Sequence, residues 1–115
     1  MNRRIFTVAA LALGAAVSFA PRFALAENHH LSEAVTHTKQ AIEHGKMGHP
    51  DVLATHAEEA LKHAKAAEAE KANPHTKEGI THLNAAIEQG KEKHAESATK
   101  HAEEALTHLE AAEKK

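Results

Sequence analysis

The sequence predicts an all-α protein: an antiparallel up-down-up-down four-helix bundle made of two duplicated helical hairpins, after a cleaved signal peptide. Three observations carry that expectation. Apolar residues recur at three and four residues, the period of a helix with one buried face. The segment 30–70 laid over 75–115 without a gap gives 20 identities in 41 positions, too many for shared composition alone. And histidines fall seven apart in each segment: His30, His37 and His44, then His49, His56 and His63, then His75 and His82, then His94, His101 and His108. Only Gln89 breaks the series.

Residues 1–26 read as an export signal. Asn2, Arg3 and Arg4 give a charged start, an apolar stretch runs from Ile5 to Ala20, and Ala24-Leu25-Ala26 supplies a small-x-small cleavage site. A membrane anchor is the competing reading, but the apolar run is short for a span and has a cleavage site behind it. Arg3-Arg4-Ile5-Phe6 also resembles a twin-arginine signal, which leaves the export route open. The mature chain, 27–115, is expected in the periplasm or outside the cell, away from the membrane.

That mature chain contains no Cys, Trp, Tyr, Phe or Arg, and sets 11 Lys against 16 acids, a net charge of −5 with His neutral. Such a balance argues against nucleic acid or an anionic surface as partner. Absent cysteine removes both disulfides and thiolate metal sites. Leu, Ile and Val together number 11 and Ala 18, so the core is small and its stability marginal.

The first helix carries Leu31, Ala34, Val35, Ala41 and Ile42 on one face; Gly45, Gly48 and Pro50 are expected to end it and form a turn. The second carries Leu53, Ala57, Ala60, Leu61, Ala64 and Ala67 before Lys71-Ala72-Asn73-Pro74. The third carries Ile80, Leu83, Ala86 and Ile87 and stops near Gly90. The fourth, from about Ala95, carries Ala98, Ala102, Ala105, Leu106, Leu109 and Ala112. With the His series placed at heptad position g in every helix, positions a, d and e form the apolar face and the histidines flank it. Alanine at most d positions lets the helices approach closely.

Seven residues are nearly two turns, so each row of histidines is almost straight, with neighbours about 10.5 Å apart. One row alone cannot chelate, because a metal–nitrogen bond is only about 2 Å long. The hairpin supplies the missing partner. His44 with His49, His37 with His56, and His30 with His63 straddle the first turn symmetrically. His82 with His101 and His75 with His108 straddle the second, and Gln89 leaves His94 without an imidazole opposite.

Carboxylates sit between the rungs. Glu33, Glu59, Glu78 and Glu104 each lie three or four residues from two histidines of their own helix, the separations at which helical side chains meet. They make mixed imidazole–carboxylate ligand sets, or serve as plain solvated helix charges. Cleavage after Ala26 would expose Glu27-Asn28-His29. A free amine, two backbone amides and an imidazole at that spacing form a four-nitrogen planar chelate suited to Cu(II) and Ni(II). Imidazole and carboxylate without thiolate put Cu(II) first among the divalent ions, with Ni(II) and Zn(II) behind it.

A lone flanking histidine is usually just a tolerated polar residue; twelve in so short a mature chain, eleven of them on heptad spacing mirrored across two turns, call for a ligand. A pH-responsive bundle and a metal-independent helical interaction module are the alternatives. Enzymatic chemistry is not expected, since the strict Glu-x-x-His motif of di-iron bundles is absent.

The heptad histidines, the segment Ala41-Ile42-Glu43-His44-Gly45-Lys46, and His101-Ala102-Glu103-Glu104-Ala105-Leu106 resemble the small metal-binding protein family known from ammonia-oxidising bacteria. The resemblance covers the whole mature chain. It implies a monomeric periplasmic four-helix bundle that binds several divalent ions, copper foremost, in metal buffering, storage or tolerance. Gln89 departs from the regular His series, which implies one missing or weakened site.

Overall fold

The computed structural model describes residues 29–114; the expected signal segment and Glu27 and Asn28 lie outside them. Four helices follow one another: α1 His29–Lys46, α2 Pro50–Glu70, α3 Pro74–Lys91 and α4 Ala95–Glu113. Each packs on its chain neighbours, and α1 closes the ring against α4, with α2 touching α4 across the middle. This is the up-down-up-down four-helix bundle, built of two hairpins, that the periodicity predicts.

Both hairpin turns use one device. At the end of α1 the His49 N–H bonds the His44 carbonyl (2.9 Å) and the Gly48 N–H bonds the Gly45 carbonyl (3.0 Å). Gly48 has a left-handed backbone, φ 78. These are the two bonds of a Schellman motif, which satisfies carbonyls left open where a helix stops. The second turn repeats it: His94 N–H to Gln89 carbonyl at 2.9 Å and Lys93 N–H to Gly90 carbonyl at 3.0 Å. Here the left-handed residue is Lys93, φ 68, a conformation that costs a side-chain-bearing residue about 1–2 kcal/mol. Its ammonium recovers part of that by reaching both oxygens of Asp51 at 2.9 Å.

As expected, the first and third helices stop close to these glycines, at Lys46 and Lys91, with Gly45 and Gly90 in their last turns. Their service is close approach: a Cβ on Gly45 would collide with Thr99 Oγ1 and Leu53 Cδ1, and one on Gly90 would lie 2.9 Å from the Pro50 carbonyl oxygen. Pro74 belongs to α3 as its first residue, where a missing N–H is harmless, with the Asn73 side chain capping the His75 N–H at 2.8 Å. The e positions are also unequal. Val35 and Ile42 are buried, whereas Leu61, Ile80, Ile87 and Leu106 are only partly covered.

The core is mostly alanine, with Leu53, Leu83 and Leu109 as its largest fully buried side chains. Shifted by the 45-residue repeat, these leucines correspond to Ala98, Thr38 and Ala64, all buried. Each large residue therefore has a small counterpart in the other half, which keeps the filled volume constant. Thr38 hides its hydroxyl by donating to the Ala34 carbonyl at 2.7 Å. Between the hairpins, Lys46–Glu103 (3.6 Å) and Lys91–Glu58 (2.8 Å) form an equivalent pair of contacts, as the repeat requires.

Gly90→Ala tests the close packing. In an open helix that change gains about 1 kcal/mol; here overpacking against Pro50 and Ala54 should cost about 1–3 kcal/mol. We expect a lower urea midpoint for the metal-free variant. A raised midpoint would show that α2 and α3 stand further apart.

Candidate metal centre

The Schellman turns place the two arms of each hairpin so that their g rows run side by side. The cross-turn partners of the first hairpin meet: ring centroids lie 5.5 Å apart for His30–His63, 6.1 Å for His37–His56 and 5.9 Å for His44–His49. The diagonal neighbours are as close, with His37–His63 at 5.7 Å and His44–His56 at 5.3 Å. Discrete rungs were expected; a continuous zigzag of six imidazoles is found. The second hairpin has His75–His108 at 5.7 Å, His108–His82 at 5.6 Å and His82–His101 at 5.9 Å. There Gln89 interrupts the ladder, and its side-chain oxygen accepts a hydrogen bond from His94 Nδ1 at 3.1 Å.

At the far end of each hairpin two Nδ1 atoms face one another, 3.2 Å apart in His30–His63 and 3.4 Å apart in His75–His108. One N–H can serve as the link, its direction set by the tautomers. The same spacing fits an ion: two nitrogens at about 2.0–2.1 Å from one tetrahedral metal lie about 3.3 Å apart. Along the ladders, Nδ1 of His37, His44, His56 and His101 is buried without a hydrogen-bond partner. A buried acceptor or donor left unpaired costs about 1–3 kcal/mol. Four on two ladders form a row of vacant lone pairs or idle N–H groups. The rings still meet solvent: the His37 and His82 side chains are 24% and 23% exposed, so an ion has a way in.

Three groups gather a carboxylate as well. Glu33 joins His37 and His63, Glu78 joins His82 and His108, and Glu104 joins His82 and His101, with the donor atoms of each group within 4.8 Å of one another. Glu33 Oε1 lies 3.8 Å from His37 Nε2. Glu104 Oε1 lies 3.1 Å from His82 Nδ1 and 3.5 Å from His101 Nδ1. Glu59, the repeat equivalent of Glu104, enters no such group among the described residues. His29 is exposed at the start of α1, its Nε2 4.0 Å from Glu33 Oε2; Glu27 and Asn28, the rest of the expected terminal chelate, lie outside the described residues.

Two carboxylates beside the histidines, Glu70 and Glu92, escaped the sequence reading. Glu70 Oε2 lies 3.9 Å from His30 Nε2. The signal was there, since Glu70 sits seven residues beyond His63 on the same row. At the second turn Glu92 Oε1 lies 3.7 Å from His94 Nδ1, placing a carboxylate beside the position Gln89 weakens.

At His56, burial and the neighbouring imidazoles favour the neutral ring. The His56 pKa is lowered from 6.5, first by burial, then by the neighbouring His44 and His37, with Glu59 opposing. Because the folded-state value lies below the unfolded one, the unfolded chain binds the extra proton as pH falls through 6.5. Stability conferred above pH 6.5 is therefore lost in the window beneath it. The metal-free melting temperature should fall between pH 7 and pH 5, and less so in His56→Gln; an equal fall in both proteins would remove His56 as a cause.

Among the described residues no helix is long and apolar enough to cross a membrane. Comparison with curated proteins finds no match. Residues 1–112 match the family described as small metal-binding protein. With facing imidazole nitrogens at ligand spacing and nearly the whole sequence matched, the chain belongs to the small metal-binding protein family.

Proposed function

We propose that the protein is an exported, monomeric buffer for several divalent ions, Cu(II) foremost with Ni(II) and Zn(II) behind it, serving metal storage or tolerance. The observation that carries this reading is the pair of facing Nδ1 atoms, 3.2 and 3.4 Å apart at equivalent places in the two halves. The unpaired ring nitrogens and the three His–Glu groups support it.

Donor sets repeat along two ladders instead of converging on one centre, which suits capacity more than catalysis. Ligand chemistry selects the metals: neutral imidazole with carboxylate and no thiolate favours Cu(II) by the general affinity order of divalent ions. Signal cleavage after Ala26 would place this store in the periplasm or outside the cell and free Glu27-Asn28-His29 as a further Cu(II) or Ni(II) chelate.

Calorimetric titration of the chain beginning at Glu27 tests the reading. Cu(II) should release heat over several equivalents, and at 100 times the dissociation constant each site should add about 2.7 kcal/mol of stability. Heat equal to buffer blanks, with an unchanged melting temperature at fixed pH, would end it.

Gln89→His should restore the ladder beside His94 and raise the bound copper by one ion per chain. Unchanged capacity would show that the second turn holds no site.

A further inference from the structure

The two His–Glu groups of the second hairpin have one member in common. His82 belongs both to the group with Glu78 and His108 and to the group with His101 and Glu104. Its Nδ1 faces the second group, 3.1 Å from Glu104 Oε1. A second ion at the first group would take the other nitrogen, Nε2. The repeat shows the same orientation: His37, the equivalent residue, turns Nε2 toward Glu33 at 3.8 Å and keeps Nδ1 buried without a partner. Glu33 is the equivalent of Glu78.

We propose that His82 bridges two metal ions, one on each ring nitrogen, so that adjacent sites of the ladder form a coupled dinuclear centre. The proposal rests on the metal-binding reading above. One ion is held by Glu78, His108 and His82 Nε2, the other by His101, Glu104 and His82 Nδ1. The nitrogens of an imidazole point away from each other, and with metal–nitrogen bonds of about 2.0 Å the ions stand about 6 Å apart. The bridge forms when neutral His82 loses its ring N–H proton to solvent. Each nitrogen lone pair of the resulting imidazolate then makes one bond to one ion, displacing hydration water, and no electron changes hands.

Among the described residues, His82 is the place where both flanking groups are already gathered. At His37 the group with Glu33 and His63 is assembled, but Glu59 has not joined His56. The second hairpin therefore carries the bridge most directly, although its row of histidines is the shorter one.

Two Cu(II) ions joined through an imidazolate exchange-couple and lose paramagnetic signal, whereas two separate ions do not. The test uses the full chain with His37→Ala, which silences the equivalent residue of the first hairpin, loaded stepwise with Cu(II). Bound copper is counted by elemental analysis and spins by integrated electron paramagnetic resonance at low temperature. At saturation the spin count should fall short of the bound copper by one coupled pair per chain.

Adding His82→Gln, a side chain that the same row already carries at Gln89, should bring spins back to equality with copper and lower the capacity. His101→Gln in the His37→Ala background should also restore equality while keeping the ion at Glu78, His82 and His108. Spins equal to bound copper at every loading of the His37→Ala chain would overturn the bridge and leave metal binding intact. No copper retained by the unsubstituted chain would overturn both.

Discussion

The register of each hairpin turn is the constraint on which the rest depends. Two backbone hydrogen bonds at the end of α1, from the N–H groups of Gly48 and His49, decide where α2 begins and which face it turns toward α1. Because histidines recur every seven residues on both arms, the register set at His44 and His49 is carried along the whole seam. A turn one residue longer would rotate the second row by about 100°, and the imidazoles would lose each other from end to end. The second turn keeps the same geometry with Lys93 in a left-handed conformation. Backbone strain is accepted there instead of a change of register.

Close packing is the second requirement, and small residues meet it. Alanine at the d positions, together with Gly45 and Gly90, brings the backbones near enough for short imidazole rings to meet across a seam they only flank. A core of leucine throughout would spread the helices and open the ladder. The molecule thus gives up apolar burial, worth about 25 cal/mol per Å2, for proximity at its surface. Ions that bind the folded form more tightly than the unfolded chain would return some of the lost stability.

Much of this was legible in the sequence, for identifiable reasons. The heptad placed every His but His29 on one register, and symmetry about each turn named the partners His30–His63, His37–His56 and His75–His108. The diagonal contacts were not legible. They depend on a stagger of about half a heptad between the arms, fixed by helix tilt and by the rise through the turn, neither of which residue numbers contain. Gly45 stands one residue from the end of α1, as expected, but that it also admits Thr99 and Leu53 was not legible, because composition cannot distinguish a glycine that ends a helix from one that lets a neighbour close. The carboxylates divided in the same way. Glu33, Glu78 and Glu104 were marked by spacing and stand with the rings, whereas Glu59 has identical spacing and a side chain that does not join them. Spacing sets what a carboxylate can reach, and the rotamer sets what it does reach.

The alternation of bulk in the core bears on how the two halves relate. Leu53, Leu83 and Leu109 each answer an alanine or threonine in the opposite repeat, and Leu53 lies close to both Gly45 and Gly90. Where one half carries a fully buried leucine, the other carries a smaller side chain at the same place in its repeat. A doubling that is nearly exact in its histidines is unequal in its interior.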